Sequence, residues 1–180
     1  MEETKQKKKG IRWLYLLLSI VLWAMVLAWM WVIFALSSET GFASSSRSDV
    51  MIRFLDQNFG LEVSVLFIRK AAHFFEYALL TSLAFFAFAA TSRVSENNPL
   101  VEIPVSEMKS SFQTNAMLSI WITVLYAVLD EYHQIFVLGR KARITDVLID
   151  ILGGVFVLVF LRIIVALMLI NKKRSECSDL

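Results

Sequence analysis

Ionisable side chains interrupt three of the long apolar runs in this 180-residue chain, and their types are those of acid–base and anion-binding chemistry. His73 and Glu76 lie three apart inside one run, with Arg69 and Lys70 just before them and Tyr77 just after. Asp130, Glu131, His133 and Gln134 close a second run, and Asp146 and Asp150 open a third, behind Arg140 and Arg143. Charge placed in hydrocarbon costs roughly 2.5–3.5 kcal/mol on insertion scales, so residues in such places point to function. His73 and Glu76 have the make-up of a general base and its partner, and Asp130 and Glu131 add two more candidate acid–base groups. Arg140 and Arg143 can grip a phosphate or carboxylate bidentately. Each feature also has a structural reading. His73 with Glu76 could be a buried polar pair that fixes helix register. The arginines could neutralise Asp130, Glu131, Asp146 and Asp150, and Arg69 and Lys70 could anchor a helix at the headgroups.

A metal centre is not expected. His73-x-x-Glu76 and Asp130-x-x-His133 resemble the paired acid and histidine motifs of four-helix bundles, but only the second has the usual acid-first order, with Asp for Glu. Four basic side chains nearby would oppose a cation. The single cysteine, Cys177, excludes an intramolecular disulfide and leaves only His and carboxylates as ligands. The expectation is therefore no metal and no cofactor.

The elements that must position these residues are membrane helices. The chain is 57% hydrophobic, with mean hydropathy +0.63, and its apolar residues come in blocks near the 20 or so that a span requires. The blocks run over Trp13–Leu36, Ala71–Ala90, Ala116–Leu138 and Val147–Ile170. The first follows a basic stretch (Lys5, Lys7, Lys8, Lys9, Arg12) but is too long for a cleavable signal segment, so it reads as an uncleaved anchor. Trp13, Trp23, Trp29 and Trp31 read as interface and lipid-facing aromatics. Between the first two spans, Ser37–Ser48 reads as a Ser-rich connection. Ser46-x-x-Asp49 then resembles a capping box opening a short amphipathic helix through Met51, Phe54, Leu55 and Phe59, closed at Gly60. Ser64 can cap the next long helix, Thr91–Asn115 reads as a loop, and Gly139–Thr145 is a tight turn.

The fold class that follows is all-α: an integral membrane four-helix bundle with a short interfacial helix in the first extracytoplasmic loop. Residues 1–12 form a basic cytoplasmic N-terminus, 13–170 a single four-helix domain and 171–180 a cytoplasmic tail. With both termini inside, ten flanking Lys and Arg fall on the cytoplasmic side against seven outside, and the strong flank of the first span decides the orientation. An up-down path then gathers all three polar clusters in the extracytoplasmic leaflet. Spacings of three and four place Arg69, His73, Glu76 and Tyr77 along one helix, and Asp130 with His133 and Gln134 along another. Gly153-Gly154 allows close helix approach one turn after Asp150.

The combined motifs resemble the VanZ-like family of small bacterial membrane proteins. The resemblance is carried by Arg69-Lys70-x-x-His73-x-x-Glu76-Tyr77, by Asp130-Glu131-x-x-Gln134-x-x-x-x-Gly139-Arg140, and by Asp146-Val147-x-x-Asp150-x-x-Gly153, over about Leu14–Phe160. The Ser37-Ser38 step is similar to the family's first loop. Leu138 stands where the family usually has proline, and Lys141-Ala142 replaces small polar turn residues. The resemblance implies a plasma-membrane protein linked to glycopeptide response, chiefly low-level teicoplanin resistance, and supplies no settled reaction.

The expected function is an outward polar pocket that engages an anionic cell-envelope ligand, lipid-linked or peptidoglycan. His73, Glu76, Asp130 and Glu131 are its candidate acid–base groups. Arg69, Lys70, Tyr77, Gln134, Arg140, Arg143, Asp146 and Asp150 are its candidate ligand contacts. Whether the pocket catalyses a reaction is left open. The alternative is a non-enzymatic membrane interaction or regulatory protein with a structural charge network. The lipid bilayer is the expected partner, and nucleic acid is not one.

Overall fold

The computed structural model describes residues 11–94 and 105–178, which form five helices: α1 (Trp13–Ser37), α2 (Gly41–Phe59), α3 (Val65–Thr91), α4 (Val105–Gln134) and α5 (Ile144–Ser178). Four of them are long and apolar enough to cross a membrane, over Trp13–Ser37, Val65–Thr91, Phe112–Gln134 and Ile144–Lys172. At 1.5 Å per residue the 25 residues of α1 extend about 37 Å, more than a hydrocarbon core of about 30 Å.

Helix α3 is the hub and packs against every other helix. Beside Tyr77, Leu80 and Phe85, most of its buried residues are small (Ala78, Thr81, Ala84, Ala87, Ala90), which lets neighbouring backbones approach closely. Half of its most apolar window is buried, against 17% for α1 and 11% for α5, so the outward faces of those helices need lipid. Polar pins fix the packing. Thr81 and Thr123 share a 2.6 Å hydroxyl bond between α3 and α4. At the other end of α3, Thr91 takes the Ser19 hydroxyl at 2.7 Å and the Trp23 indole at 3.1 Å. Trp29 Nε1 donates to the Glu76 carbonyl at 2.9 Å, and the Tyr126 hydroxyl donates to the Met30 carbonyl. Trp13 and Trp31 are exposed as expected. Trp23 and Trp29 instead turn inward, because an indole N–H in an apolar bundle gains most by finding an acceptor there.

Gly153 and Gly154 sit where α5 crosses α3. A Cβ at Gly153 would collide with the Phe74 carbonyl, and one at Gly154 would come within 2.6 Å of Thr81 Oγ1. The close approach expected at this pair is therefore present.

Three boundaries differ from the sequence expectation. Helix α4 ends at Gln134, not Leu138, so the turn into α5 runs over residues 135–143 and Ile144 and Thr145 are already helical. The Ser-rich stretch is the first half of α2, not a connection. Thr40 caps the helix by accepting from the Ala43 N–H. Ser45, Ser46 and Ser48 donate to the carbonyls four residues back, so their hydroxyls are satisfied within the helix. Ser46 is thus spent inside the helix and does not cap Asp49. Gly41, Ser44 and Ser48, three and four apart, form the buried face of α2. Gly60 closes the helix as expected, in the left-handed conformation at φ 64°. The last difference is that α4 begins at Val105, so residues 105–115 are helical; of the rest of the expected loop Thr91 closes α3, 92–94 form a turn, and 95–104 lie outside the described residues. The Ser64 cap on α3 is present, its hydroxyl accepting from Phe67 N–H at 3.2 Å.

Candidate functional site

The ends of α1 and α4 and the starts of α3 and α5 meet at one end of the bundle, and the polar residues meet there with them. Two arrangements of backbone make this possible. The α4–α5 turn reverses through Gly139 at φ 76° and lies directly on the start of α2, where Gly41 N–H donates to the Leu138 carbonyl at 3.0 Å. A Cβ on Gly41 would collide with the Gly139 carbonyl. Arg140 then reaches back to α1, Nε to the Glu39 carbonyl at 3.1 Å and a terminal nitrogen to the Leu36 carbonyl at 3.0 Å. It thereby adds a bond to carbonyls at and just beyond the end of α1, and its charge complements the helix dipole.

The turn and the first turns of α3 and α5 enclose a cavity of about 200 Å³. Its polar lining is Arg69, Lys70, His73, Gln134, Arg140, Lys141, Arg143 and Asp146. Five of these are cationic, and the one carboxylate, Asp146, is held by Lys70 at 2.6 Å. Positive charge is therefore in excess. At Arg140, burial and then the nearby Arg69 guanidinium hold the pKa below the usual arginine value, while Asp130 pulls it back up. It still stays protonated at any physiological pH.

Next to this cavity lies a largely buried acidic layer. Asp150 is fully buried inside the span of α5, and neither of its carboxylate oxygens has a hydrogen-bond partner. One of them lies 3.7 Å from His73 Nδ1, and Glu76 lies 3.8 Å from the same nitrogen. Both distances exceed hydrogen-bond length. The Nδ1 atom is sealed from solvent and unpartnered, while the His73 side chain as a whole keeps 19% exposure where it lines the cavity. The Tyr77 hydroxyl, fully buried, is likewise without a partner. A buried tyrosine O–H nearly always finds one. His73, Tyr77 and Asp150 thus form a set of unsatisfied polar groups on α3 and α5, at a typical cost of about 1–3 kcal/mol each.

The remaining candidates divide. Gln134 lines the cavity and donates to Asp130 at 3.1 Å. Glu131 is buried but accepts the backbone N–H of Arg143 at 2.8 Å, which ties the turn to α4 and keeps its carboxylate out of the cavity lining. The Arg143 side chain is exposed at the rim. His133 faces α1, bonded to the Ser38 hydroxyl at 3.2 Å and packed on the Phe34 ring, away from Asp130's partner Gln134. Among the described residues no three His, Cys, Asp or Glu side chains are grouped to hold a metal ion.

A second cavity, of about 220 Å³, adjoins the first and was not anticipated. It lies between α2 and α3 and is lined by Ser37, Ser44, Ser48 and Arg47 together with Leu36, Met51, Ile68 and Ala72. Arg47 also pairs with Glu39 at 2.7 Å. The spacing of Gly41, Ser44 and Ser48 was the signal that could have placed these residues on an inner helix face.

A family model described as VanZ/LLP1 matches residues 22–166. No curated protein and no solved structure matches the chain.

Proposed function

The chain belongs to the VanZ/LLP1 family, and on that premise we propose that its basic cavity holds an anionic group of the cell envelope. Membership and four apolar helices make it a multi-pass membrane protein of a family linked to glycopeptide resistance in general. Teicoplanin is the specific drug the reading favours. The observation that carries the ligand proposal is the excess of cationic side chains around one cavity whose only carboxylate is already paired. Crowded like charges in a partly dry space repel one another, and a bound phosphate or carboxylate relieves that repulsion while accepting charge-assisted hydrogen bonds. Arg69, Arg140 and Arg143 are the anion contacts, with Lys70 and Asp146 setting the wall and Gln134 holding Asp130. His73 faces the ligand, backed by Glu76 and Asp150, and is the group that would move a proton if the ligand is processed. Arg140 and Glu131 also bond to backbone groups. That favours the alternative reading, a structural charge network in a non-enzymatic membrane partner, at those two positions.

Purified protein should melt several degrees higher in phosphate than in chloride at equal ionic strength, since saturation at about 100 times Kd is worth about 2.7 kcal/mol. Arg69→Gln should cost about tenfold in phosphate affinity, the loss of one charge-assisted bond. Identical melting curves in the two salts would overturn the anion site.

The same reading places residues 13–170 in one domain with both termini cytoplasmic and the cavity opening outward. In a Cys177→Ser background, Arg143→Cys should react with an impermeant maleimide added to intact cells, and Asn98→Cys should not. The opposite labelling pattern would move the cavity to the cytoplasmic face.

A further inference from the structure

We propose that the second cavity is a chain subsite, so that the anion is the phosphate of a membrane lipid and not a soluble ion. The inference rests on the anion-holding reading of the basic cavity. The two cavities share Arg69, His73 and Arg140 as a common wall, so one molecule can occupy both. Their linings differ in balance. Beyond the shared residues the first adds four charged side chains and only Leu66 and Ile149 as aliphatic ones, whereas the second adds the apolar Leu36, Met51, Ile68 and Ala72 beside three serines, Arg47 and Glu76. A soluble anion gains nothing from such an annex, and an alkyl chain gains the burial of its first methylenes.

The second cavity also has an exit. Ala72 lines it and is exposed, and Phe75 and Leu79 follow on the same face of α3 at spacings of three and four, 66% and 42% exposed. A chain leaving beside Ala72 therefore meets an apolar stripe that itself faces lipid. Helix α2 covers the other side. Its exposed Phe42, Val50 and Phe54, turned away from the buried Ser44 and Ser48, suit a helix seated at headgroup depth. The phosphate thus sits among guanidiniums at that depth, and its chain turns down into the bilayer.

The test uses the full chain in detergent micelles with two probes, inorganic phosphate and dioctanoyl phosphatidic acid. Wild-type protein should bind the lipid at least about tenfold more tightly than phosphate. Ala72→Phe, which fills the cavity from an exposed position, should reduce lipid affinity to the level of inorganic phosphate and leave phosphate binding unchanged. Met51→Trp fills the same cavity from α2 and guards against a folding defect in the first variant. Arg69→Gln should weaken both probes. Equal affinity for the two probes, or unaltered lipid binding in both cavity-filling variants, overturns the chain subsite and leaves the anion site standing. Failure to bind either probe overturns both.

Discussion

Gly153→Leu is expected to leave no folded bundle. Gly153 faces the Phe74 carbonyl so closely that even a Cβ collides with backbone on α3. Backbone cannot swing aside as a side chain can. The two helices must separate, and overpacking of this kind costs about 3 kcal/mol or more. Lipid does not compensate, because helix association in a bilayer rests on close contact of small residues and not on a difference in apolarity. The neighbouring Gly154 provides the control. Its Cβ would meet the Thr81 hydroxyl, Ile120 Cδ1 and Thr123 Cγ2, all of them side-chain atoms. Gly154→Ala should therefore lower the melting temperature less than Gly153→Ala, although the substitutions are the same and adjacent. Thermal unfolding and gel filtration in detergent check the order. A monodisperse Gly153→Leu protein that melts within a few degrees of wild type would show that α5 is not clamped at this point. Function should fall with structure here, since Asp150 lies one turn before Gly153 and owes its position beside His73 to the same helix crossing.

That crossing was readable in the sequence because it depends on local facts: two adjacent glycines in an apolar run. The four spans were readable for the same reason, as were the Ser64 and Gly60 caps. What could not be read was set by tertiary contact. Helix α1 is apolar on all sides, so nothing in its pattern says which face meets α3, and Trp23 and Trp29 looked the same as Trp13 and Trp31. The Ser-rich half of α2 has weak helix propensity, and it is helical where its small side chains fit against the bundle, its hydroxyls being satisfied by their own backbone. In the site, the convergence of polar residues followed from an up-down path. Their division of labour did not, because it depends on the course of the turn over residues 135–143. That course sends Arg140 to the end of α1 and puts Glu131 under the Arg143 amide. It also leaves Asp146 at the cavity wall with Lys70, while Asp150, one turn deeper, faces His73 without any hydrogen bond.

Asp150→Asn separates the two readings of that deep layer. If the carboxylate is kept for the ligand or its chemistry, the variant should lose the activity of the protein while remaining as stable as wild type or more so. The reason is that Asp150 has no hydrogen bond to lose, and a neutral amide of the same shape is cheaper to bury than a carboxylate. Sites kept for function commonly show this trade of stability against activity. If instead Asp150 serves a structural network, its removal leaves His73 with Glu76 alone beside its Nδ1, and stability and function should fall together. The expected outcome is the first: loss of complementation in a glycopeptide-susceptibility assay, with a melting temperature unchanged or raised. His73→Gln should behave in the same way, and the double variant should be no worse than either single one, because residues that act as a unit are not additive. Lys70→Met offers the contrast. It breaks the 2.6 Å pair with Asp146 at the wall, leaves that carboxylate half-buried and unpaired, and should lower stability as well as anion affinity. Wild-type complementation by Asp150→Asn would rule out a role for the deep layer in function and leave the basic cavity alone to explain the activity.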